Sequence, residues 1–230
     1  NWGYDPQNYN APEGSYSTDP YHGEVRINEM KQMVQALHQN GIRVNMDVVY
    51  NHTFNIEDSN FQKTVPDYYY RKVGESYSNA SGCGNETASD HAMMRKYIVD
   101  SVVYWATEYH IDGFRFDLVG LLDTDTINEI VTEVHKNHPN VIFYGEGWTL
   151  DTEVTKEGYL LATQTNSRET PGFAYFSDNI RDVIKGHVFY TDERGYVTGA
   201  TGLEEEVEKC FMGLPEWCAS PTQTVNYVSC

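Results

Sequence analysis

The sequence is poor in basic residues. Its 230 residues include 16 Lys and Arg against 34 Asp and Glu, which gives a formal net charge of −18. This charge repels nucleic-acid phosphates and anionic lipid surfaces, so neither is expected as a partner. Apolar runs are short as well, as in the VVY of 48–50, whereas a membrane-spanning helix needs roughly 20 apolar residues. The composition therefore predicts a soluble chain and leaves open whether it is cytoplasmic or secreted.

Cysteine is also scarce. The four cysteines, Cys83, Cys210, Cys218 and Cys230, are too few and too unevenly spaced for a disulfide-built scaffold. No CxxC pair suggests zinc, and the sequence has no Walker loop, no GxGxxG motif and no His cluster with metal-ligand spacing. The usual signatures of zinc, nucleotide and dinucleotide sites are therefore missing.

Tyrosine is abundant by contrast, with 18 residues against 9 Phe. Tyrosine rings suit a site that stacks on a polar ligand and hydrogen-bonds to it. Tyrosine in a half-buried sheet explains the excess nearly as well. The composition alone leaves both explanations open.

Amphipathic helices alternate with short apolar strands along the chain. Apolar periodicity predicts four helices, at about 28–40, 90–105, 123–137 and 178–185. Gly41 is the predicted stop of the first helix, and Asp90 is the predicted N-cap of the second. Thr126 and Glu129 have the spacing of a capping box in the third. Strands are predicted at 42–50, 111–120, 141–146, 173–176 and 225–229, the first with both faces largely apolar. Residues 51–90 lack a periodic pattern and predict an elaborated loop or small subdomain with a function.

This alternation predicts an α/β fold with a parallel sheet, either doubly wound or closed as a (β/α)8 barrel. Three predicted strands end in an acidic residue, namely Asp47, Asp117 and Glu146. Parallel strands bring these ends to one rim, and buried strands tolerate carboxylates poorly unless they are paired or catalytic. A helix-capping role could explain one of them but not readily all three. Paired carboxyl groups on a rim indicate glycoside hydrolysis.

Four segments resemble the ordered signature regions of the α-amylase superfamily, glycoside hydrolase family 13. They are NWGYDP at 1–6, DVVYNH at 47–52, GFRFD at 113–117 and YGEGW at 144–148. Residues 1–20 resemble the motif that marks type I pullulanases, and the similarity continues through GCGNE at 82–86. The resemblance implies a partial (β/α)8 TIM barrel, about strands 3 to 7. Residues 1–230 would then be an incomplete catalytic barrel with 51–90 as an inserted loop after strand 3.

The resemblance also implies catalytic roles. Asp117 matches the nucleophile of a retaining mechanism, and Glu146 matches the general acid and base. Residue chemistry agrees, because Glu146 lies beside Trp148, whose apolar ring favours a raised pKa. Arg115 lies two residues from Asp117 on the same strand face and would hold it ionised.

Further positions match sugar-binding residues of the family. His52 would hydrogen-bond the sugar on the non-reducing side of the cut, and Asp47 would support that network. Tyr4 resembles the aromatic platform that stacks on this sugar. The complete set of predicted substrate-binding residues is Trp2, Tyr4, Asp5, Asp47, Asn51, His52 and Trp148.

Two departures from the family pattern refine the expectation. Many α-1,4-cleaving relatives carry a Lys-His pair shortly after the nucleophile, whereas this chain reads DLVGLLD at 117–123. We therefore expect hydrolysis of α-1,6 branch links in pullulan, amylopectin or limit dextrins. The family's last region, a His-Asp pair that supplies a third carboxylate, is not found before Cys230. We accordingly expect an internal segment with flanking domains in the same full-length chain.

Alternatives remain within and outside this class. An isoamylase, a glycogen-debranching enzyme or a branching enzyme shares these regions, although the YDP motif at 4–6 argues against them. A noncatalytic carbohydrate-binding relative is the alternative from another class. Retention of Asp117, Glu146 and Arg115 argues against it, since a pure binder has no need of two carboxylates that repel.

The expected partner is an α-glucan polysaccharide or oligosaccharide, and no organic cofactor is expected. Calcium is plausible because some relatives bind it near the long loop. However, Asp58, Asp67, Glu75 and Glu86 show no recognisable ligand spacing. No metal is therefore predicted.

Overall fold

Five parallel strands form the main sheet of the computed structural model, which describes residues 2–152, 158–190 and 192–228. In chain order, with a short hairpin included, the strands are β1 Asn45–Val48, β2 Lys72–Val73, β3 Ser76–Tyr77, β4 Gly113–Phe116, β5 Ile142–Gly145, β6 Ala174–Ser177 and β7 Thr224–Asn226. The helices are α1 Gly23–Gln39, α2 Asn60–Thr64, α3 Ala92–Glu108, α4 Thr124–His135, α5 Asp178–Lys185 and α6 Glu204–Phe211.

The order of the main sheet is β1-β4-β5-β6-β7, so each of its strands pairs with the next main-sheet strand along the chain. Strands β2 and β3 pair only with each other. All four pairings are parallel. Helices α3 and α4 pack against one side of this sheet and share a core cluster with its buried aromatic residues. The chain is thus part of a (β/α)8 barrel, and the predicted α/β fold class is confirmed.

The two faces of the sheet differ in polarity. The helix side carries Phe114, Phe116, Phe143 and Tyr175, all of which are buried. The other side carries Asn45 and Asp47 of β1, which are exposed, and Ile142, which is 50% exposed. The expectation that the first strand is apolar on both faces is therefore wrong. The polar face of this strand points toward the barrel axis, where the site residues lie.

The buried side of α3 agrees with the sequence pattern. Met94, Ile98, Val102 and Trp105 are each at most 1% exposed. The predicted cap is wrong, however, because α3 begins at Ala92 and the Asp90 carboxylate instead accepts a hydrogen bond from Arg71 at 2.8 Å.

Helix α4 is capped by a different residue from the one predicted. The Asp123 carboxylate accepts a hydrogen bond from the Thr126 amide at 2.9 Å, so Thr126 and Glu129 do not form the capping box. Asp123 immediately precedes the first turn and reaches that amide directly.

Other boundaries shift by a few residues. Helix α1 begins at Gly23 instead of Asn28, and Gly41 follows its end with φ at +73° as predicted. Helix α5 matches the predicted span, whereas α6 was not predicted because its acidic sequence buries only Cys210. The last predicted strand is observed at Thr224–Asn226, and its position 229 lies outside the described residues.

The long segment 51–90 has structure of its own. It contains α2, the antiparallel β2–β3 hairpin, and a run of buried polar residues near its end. These buried residues are Asn85, Glu86, Thr87 and Ser89. No helix among the described residues is long and apolar enough to cross a membrane.

Candidate active site

Arg115 holds three carboxylates together at the carboxyl ends of the strands. Its Nη1 lies 2.8 Å from Asp47 Oδ1 and 3.1 Å from Asp117 Oδ1, while its Nη2 lies 2.6 Å from Glu146 Oε1. The strand register explains the arrangement, because Asp47 is the β1 partner of Arg115 on β4. Asp117 follows β4 directly, and Glu146 follows β5 directly. The three predicted strand-end carboxylates thus meet at one cation.

The environment favours a proton on Glu146. Burial raises the pKa of this carboxyl group, and the charges of Asp117 and Asp47 act in the same direction. The Arg115 guanidinium and the Leu118 amide oppose this rise only in part. Arg115 therefore orients Glu146 while the pKa of this carboxyl group stays above its ordinary value, the direction that a general acid needs.

Leu118 takes part in the site through its backbone. Its φ of +43° and ψ of +46° lie in the left-handed region, which leucine rarely adopts. This conformation turns the chain sharply after Asp117 and points the Leu118 amide at Glu146 Oε2, 3.3 Å away. A leucine side chain gives no sequence signal of this role.

Gly120 brings the turn after β4 close to the segment after β5. Its amide donates to the Glu146 carbonyl at 3.2 Å. A Cβ added at Gly120 would lie 2.1 Å from the Trp148 carbonyl oxygen, so only glycine fits here. The glycine in DLVGLLD was the available sequence signal for this close approach.

Asn51 and His52 connect the first strand to Asp117. Asn51 Nδ2 donates to the Asp117 carbonyl at 2.8 Å and to its Oδ2 at 3.0 Å. With Nδ2 so used, Asn51 Oδ1 accepts the proton of His52 Nδ1 at 2.6 Å. His52 Nε2 is then the bare acceptor nitrogen.

His52 is buried and held neutral. Burial lowers the pKa of its imidazole. Its Nε2 has no hydrogen-bond partner among the described residues, and Asp5 Oδ1 lies 3.9 Å away. The Tyr4 backbone carbonyl lies beside the imidazole and opposes part of the decrease in its pKa.

The predicted aromatic residues lie at different depths. The Tyr4 hydroxyl donates to Asp47 Oδ2 at 2.8 Å, which raises the pKa of Tyr4, and its ring lies 5.8 Å from the Arg115 guanidinium carbon. Trp148 is partly buried beside Glu146. Trp2 is 92% exposed, so the structure does not pack it against the carboxylates. Its predicted place in the cleft stays a prediction.

A polar clamp that the sequence did not predict fixes the backbone around Asn51. Asn85 accepts a hydrogen bond from the Thr53 amide at 3.0 Å and donates to the Thr53 carbonyl at 2.8 Å. The Thr87 amide donates to the Asn51 carbonyl at 2.9 Å. The end of the inserted segment 51–90 therefore holds the backbone of Asn51 and Thr53 in place by hydrogen bonds.

The residues considered for calcium are dispersed. Glu86 is fully buried and lies 3.6 Å from Arg71, while Asp67 binds Gln62 and Lys72 near the β2–β3 hairpin. Among the described residues, no three His, Cys, Asp or Glu side chains are arranged to hold a metal ion. The predictions about calcium and cofactors stay untested.

Comparison with known proteins gives close relatives and no matching family model. A Bacillus subtilis pullulanase is 42% identical over 236 residues, covering 99% of this chain and 32% of the relative. A Paenibacillus barengoltzii pullulanase, crystallised with maltohexaose and α-cyclodextrin, superposes with a TM-score of 0.95 at 47% identity over 100% of this chain. A pullulanase from Anoxybacillus sp. LM18-11, crystallised with maltotetraose, also gives 0.95 at 47% identity. The chain spans about a third of the length of these relatives.

Proposed function

Because this chain belongs to the pullulanase family, we propose that the full-length protein containing it hydrolyses α-1,6-glucosidic branch links in α-glucans such as pullulan, amylopectin and limit dextrins. One observation carries the proposal: Arg115 holds Asp47, Asp117 and Glu146 within ion-pair distance at one rim of the sheet. Glycoside hydrolases use two such carboxyl groups, one as the general acid and the other as the nucleophile or base.

In the first step, the ionised Asp117 carboxylate attacks the anomeric carbon. Each Asp117 oxygen has a donor, Arg115 for Oδ1 and Asn51 for Oδ2, so the carboxylate is oriented and its charge is stabilised. The glycosidic carbon–oxygen bond breaks as Glu146 delivers its proton to the leaving oxygen. The product is a covalent glycosyl ester on Asp117.

In the second step, the deprotonated Glu146 takes a proton from water. That water attacks the anomeric carbon, and the bond to Asp117 breaks. Glu146 regains its proton, and the released sugar keeps its original anomeric configuration. The Leu118 amide at Glu146 Oε2 and Arg115 at Oε1 hold the group in place for both proton transfers.

Substrate binding is assigned to the residues around this pair. His52 Nε2 accepts a hydrogen bond from a sugar hydroxyl, and Tyr4 stacks on the same sugar. Trp2, Asp5 and Trp148 extend the cleft. The reaction requires no organic cofactor in this proposal, because proton transfer and covalent catalysis are both supplied by carboxyl groups.

The α-1,6 specificity follows from the turn after β4. The segment 118–122 carries only Leu, Val and Gly side chains where many α-1,4-cleaving relatives have the Lys-His pair. An isoamylase, a glycogen-debranching or branching enzyme, and a noncatalytic glucan binder are the competing assignments. Relatives named pullulanase match along the whole chain and support α-1,6 hydrolysis of the pullulanase type over these alternatives.

The test uses the full-length protein with pullulan, glycogen and linear amylose. Release of maltotriose from pullulan, with amylose left intact and the α-anomer formed first by NMR, is the expected result. Cleavage of glycogen branches without cleavage of pullulan would favour an isoamylase. Chain transfer without new reducing ends would favour a branching enzyme. Binding without any release would favour the noncatalytic relative.

A further inference from the structure

Arg71 is a buried cation that the proposed chemistry does not use. Its side chain is 5% exposed although it carries a permanent charge. Burying such a charge is costly unless its donors are satisfied. The structure satisfies them within the rim region, where Nε donates to Asp90 at 2.8 Å and Nη2 to Ser89 at 3.1 Å.

The third guanidinium nitrogen of Arg71 reaches the turn after β4. Nη1 donates to the Leu121 carbonyl at 2.6 Å. The Leu121 amide in turn donates to the Leu118 carbonyl at 3.0 Å, so the two residues form one hydrogen-bonded turn. Leu118 is the residue whose amide contacts Glu146. Arg71 is therefore two hydrogen bonds from the group that orients the general acid.

Arg71 is also linked to the segment after β5. Glu86, fully buried, lies 3.6 Å from Arg71 Nη1 through its Oε1. The same Oε1 accepts a hydrogen bond from the Thr152 hydroxyl at 2.6 Å. Thr152 lies six residues after Glu146, on the segment that leaves β5. One guanidinium thus connects the inserted segment 51–90 with the backbones that follow both catalytic carboxylates.

We propose that Arg71 is a positioning residue, which acts through Leu121 and through Glu86–Thr152 to keep the Leu118 amide directed at Glu146. This inference rests on the proposed function, because it concerns the geometry of that reaction. Arg71 touches no reacting atom. It acts by adding a link from the inserted segment 51–90 to two segments that already meet at the Gly120–Glu146 hydrogen bond.

The decisive variant is Arg71→Lys in the full-length protein, since lysine keeps the charge but cannot reach three sets of acceptors at once. We expect kcat on pullulan to fall about 10- to 100-fold, because small displacements of a catalytic group cost about that much. KM should stay within about threefold. The alkaline limb of the pH profile should move to higher pH, because the Leu118 amide lowers the Glu146 pKa and its withdrawal reverses that effect.

Arg95→Lys is the matched control. Arg95 also pairs with a buried carboxylate, since its Nη2 lies 2.9 Å from Asp123, but it joins α3 to α4 on the helix side of the sheet. Its replacement should lower Tm and leave both kcat and the alkaline limb unchanged. A role for Arg71 in stability alone would make the two variants behave alike and would overturn the inference.

Thr152→Val covers the case in which Arg71→Lys does not fold. It removes the hydrogen bond from the Thr152 hydroxyl to Glu86 and leaves Arg71 in place. A severalfold lower kcat with the alkaline limb moved upward supports the inference, and wild-type values overturn it. A wild-type protein that does not cut pullulan would overturn both the proposed function and this inference, whereas an active wild type with unaffected variants would overturn only the latter.

Discussion

Each carboxylate oxygen of Asp117 accepts a hydrogen bond, Oδ1 from Arg115 and Oδ2 from Asn51. This geometry predicts the effect of replacing the carboxylate. Asp117→Asn keeps the shape of the side chain but removes the nucleophile. In the full-length protein we expect kcat on pullulan to fall by roughly four or more orders of magnitude with little loss of glucan binding. Initial rates and isothermal titration with a maltooligosaccharide measure the two quantities. A variant that keeps a tenth of wild-type turnover would contradict the assignment.

Glu146→Gln provides the comparison for this experiment. A glycosyl fluoride needs no proton on its leaving group, so Glu146→Gln should still form the covalent intermediate from it while pullulan is not cut. Asp117→Asn should fail with both substrates. Mass spectrometry of the trapped protein distinguishes these results, and equal failure of both variants on the fluoride would argue against the division of roles.

The raised pKa of Glu146 also has a consequence for stability. Because burial raises this pKa in the folded state, the folded protein prefers the protonated form, and the contribution of Glu146 to stability is lost as the pH rises through that pKa. Glu146→Gln mimics the protonated form at every pH. We expect the variant to melt at a temperature equal to or above that of the wild type at pH 7, with the difference vanishing toward pH 4. A variant that melts below the wild type at pH 7 would contradict the expectation that the folded protein prefers protonated Glu146.

The sequence predicted that the strand-end carboxylates meet at one rim, because their residue type is unusual for their position. Asp47, Asp117 and Glu146 are carboxylates at the ends of apolar strands. Charged groups are unusual there, so these residues could be singled out from the sequence. Leu118 and Arg71 were not found, because one acts through its backbone and the other through contacts between distant segments. Neither feature leaves a trace in local spacing.

At the scale of elements, apolar periodicity located the helices that pack on the sheet. Helices α3 and α4 bury continuous apolar stripes and were predicted, whereas α6 buries one residue and was not. Their caps were predicted wrongly, because the partner of each acidic residue depends on contacts that form only in the folded chain. The three-dimensional course of the chain decided that Asp90 would pair with Arg71 and Asp123 would cap α4.

The close packing of the turn after β4 leads to an element-scale prediction. Gly120→Ala would place a Cβ against the Trp148 carbonyl, so the turn and the segment after β5 must separate. We expect the free energy of unfolding to fall by about 1–3 kcal/mol, the range for overpacked sites, together with reduced turnover. Denaturation monitored by circular dichroism and pullulan assays measure both.

Gly23→Ala is the control for this substitution. Gly23 begins α1, and the nearest atom to an added Cβ there is Arg26 Nη2 at 3.8 Å. Stability should be unchanged or should rise by up to about 1 kcal/mol, because alanine restricts the unfolded chain. Equal effects of the two substitutions would show that the Trp148 contact is unimportant.

At the scale of the whole molecule, the open sheet determines how residues 1–230 should behave alone. Strands β1 and β7 are the edges of the described sheet, and their outer backbone groups have no strand to pair with. The barrel-axis face is partly exposed, including Ile142. We expect the isolated chain to aggregate or stay molten and to release no reducing sugar from pullulan. Measurable turnover, or one sharp calorimetric transition from a monomer, would contradict this expectation.

The strand order gives the polypeptide a direction of folding. Every strand of the main sheet pairs with the strand that precedes it in the sequence, so each new βα unit adds to a surface that has already been synthesised. The sheet can therefore be extended one strand at a time in the direction of synthesis. The residues of the carboxylate cluster are supplied in that same order by three neighbouring strands, Asp47 from β1, Arg115 and Asp117 from β4 and its end, and Glu146 from the end of β5.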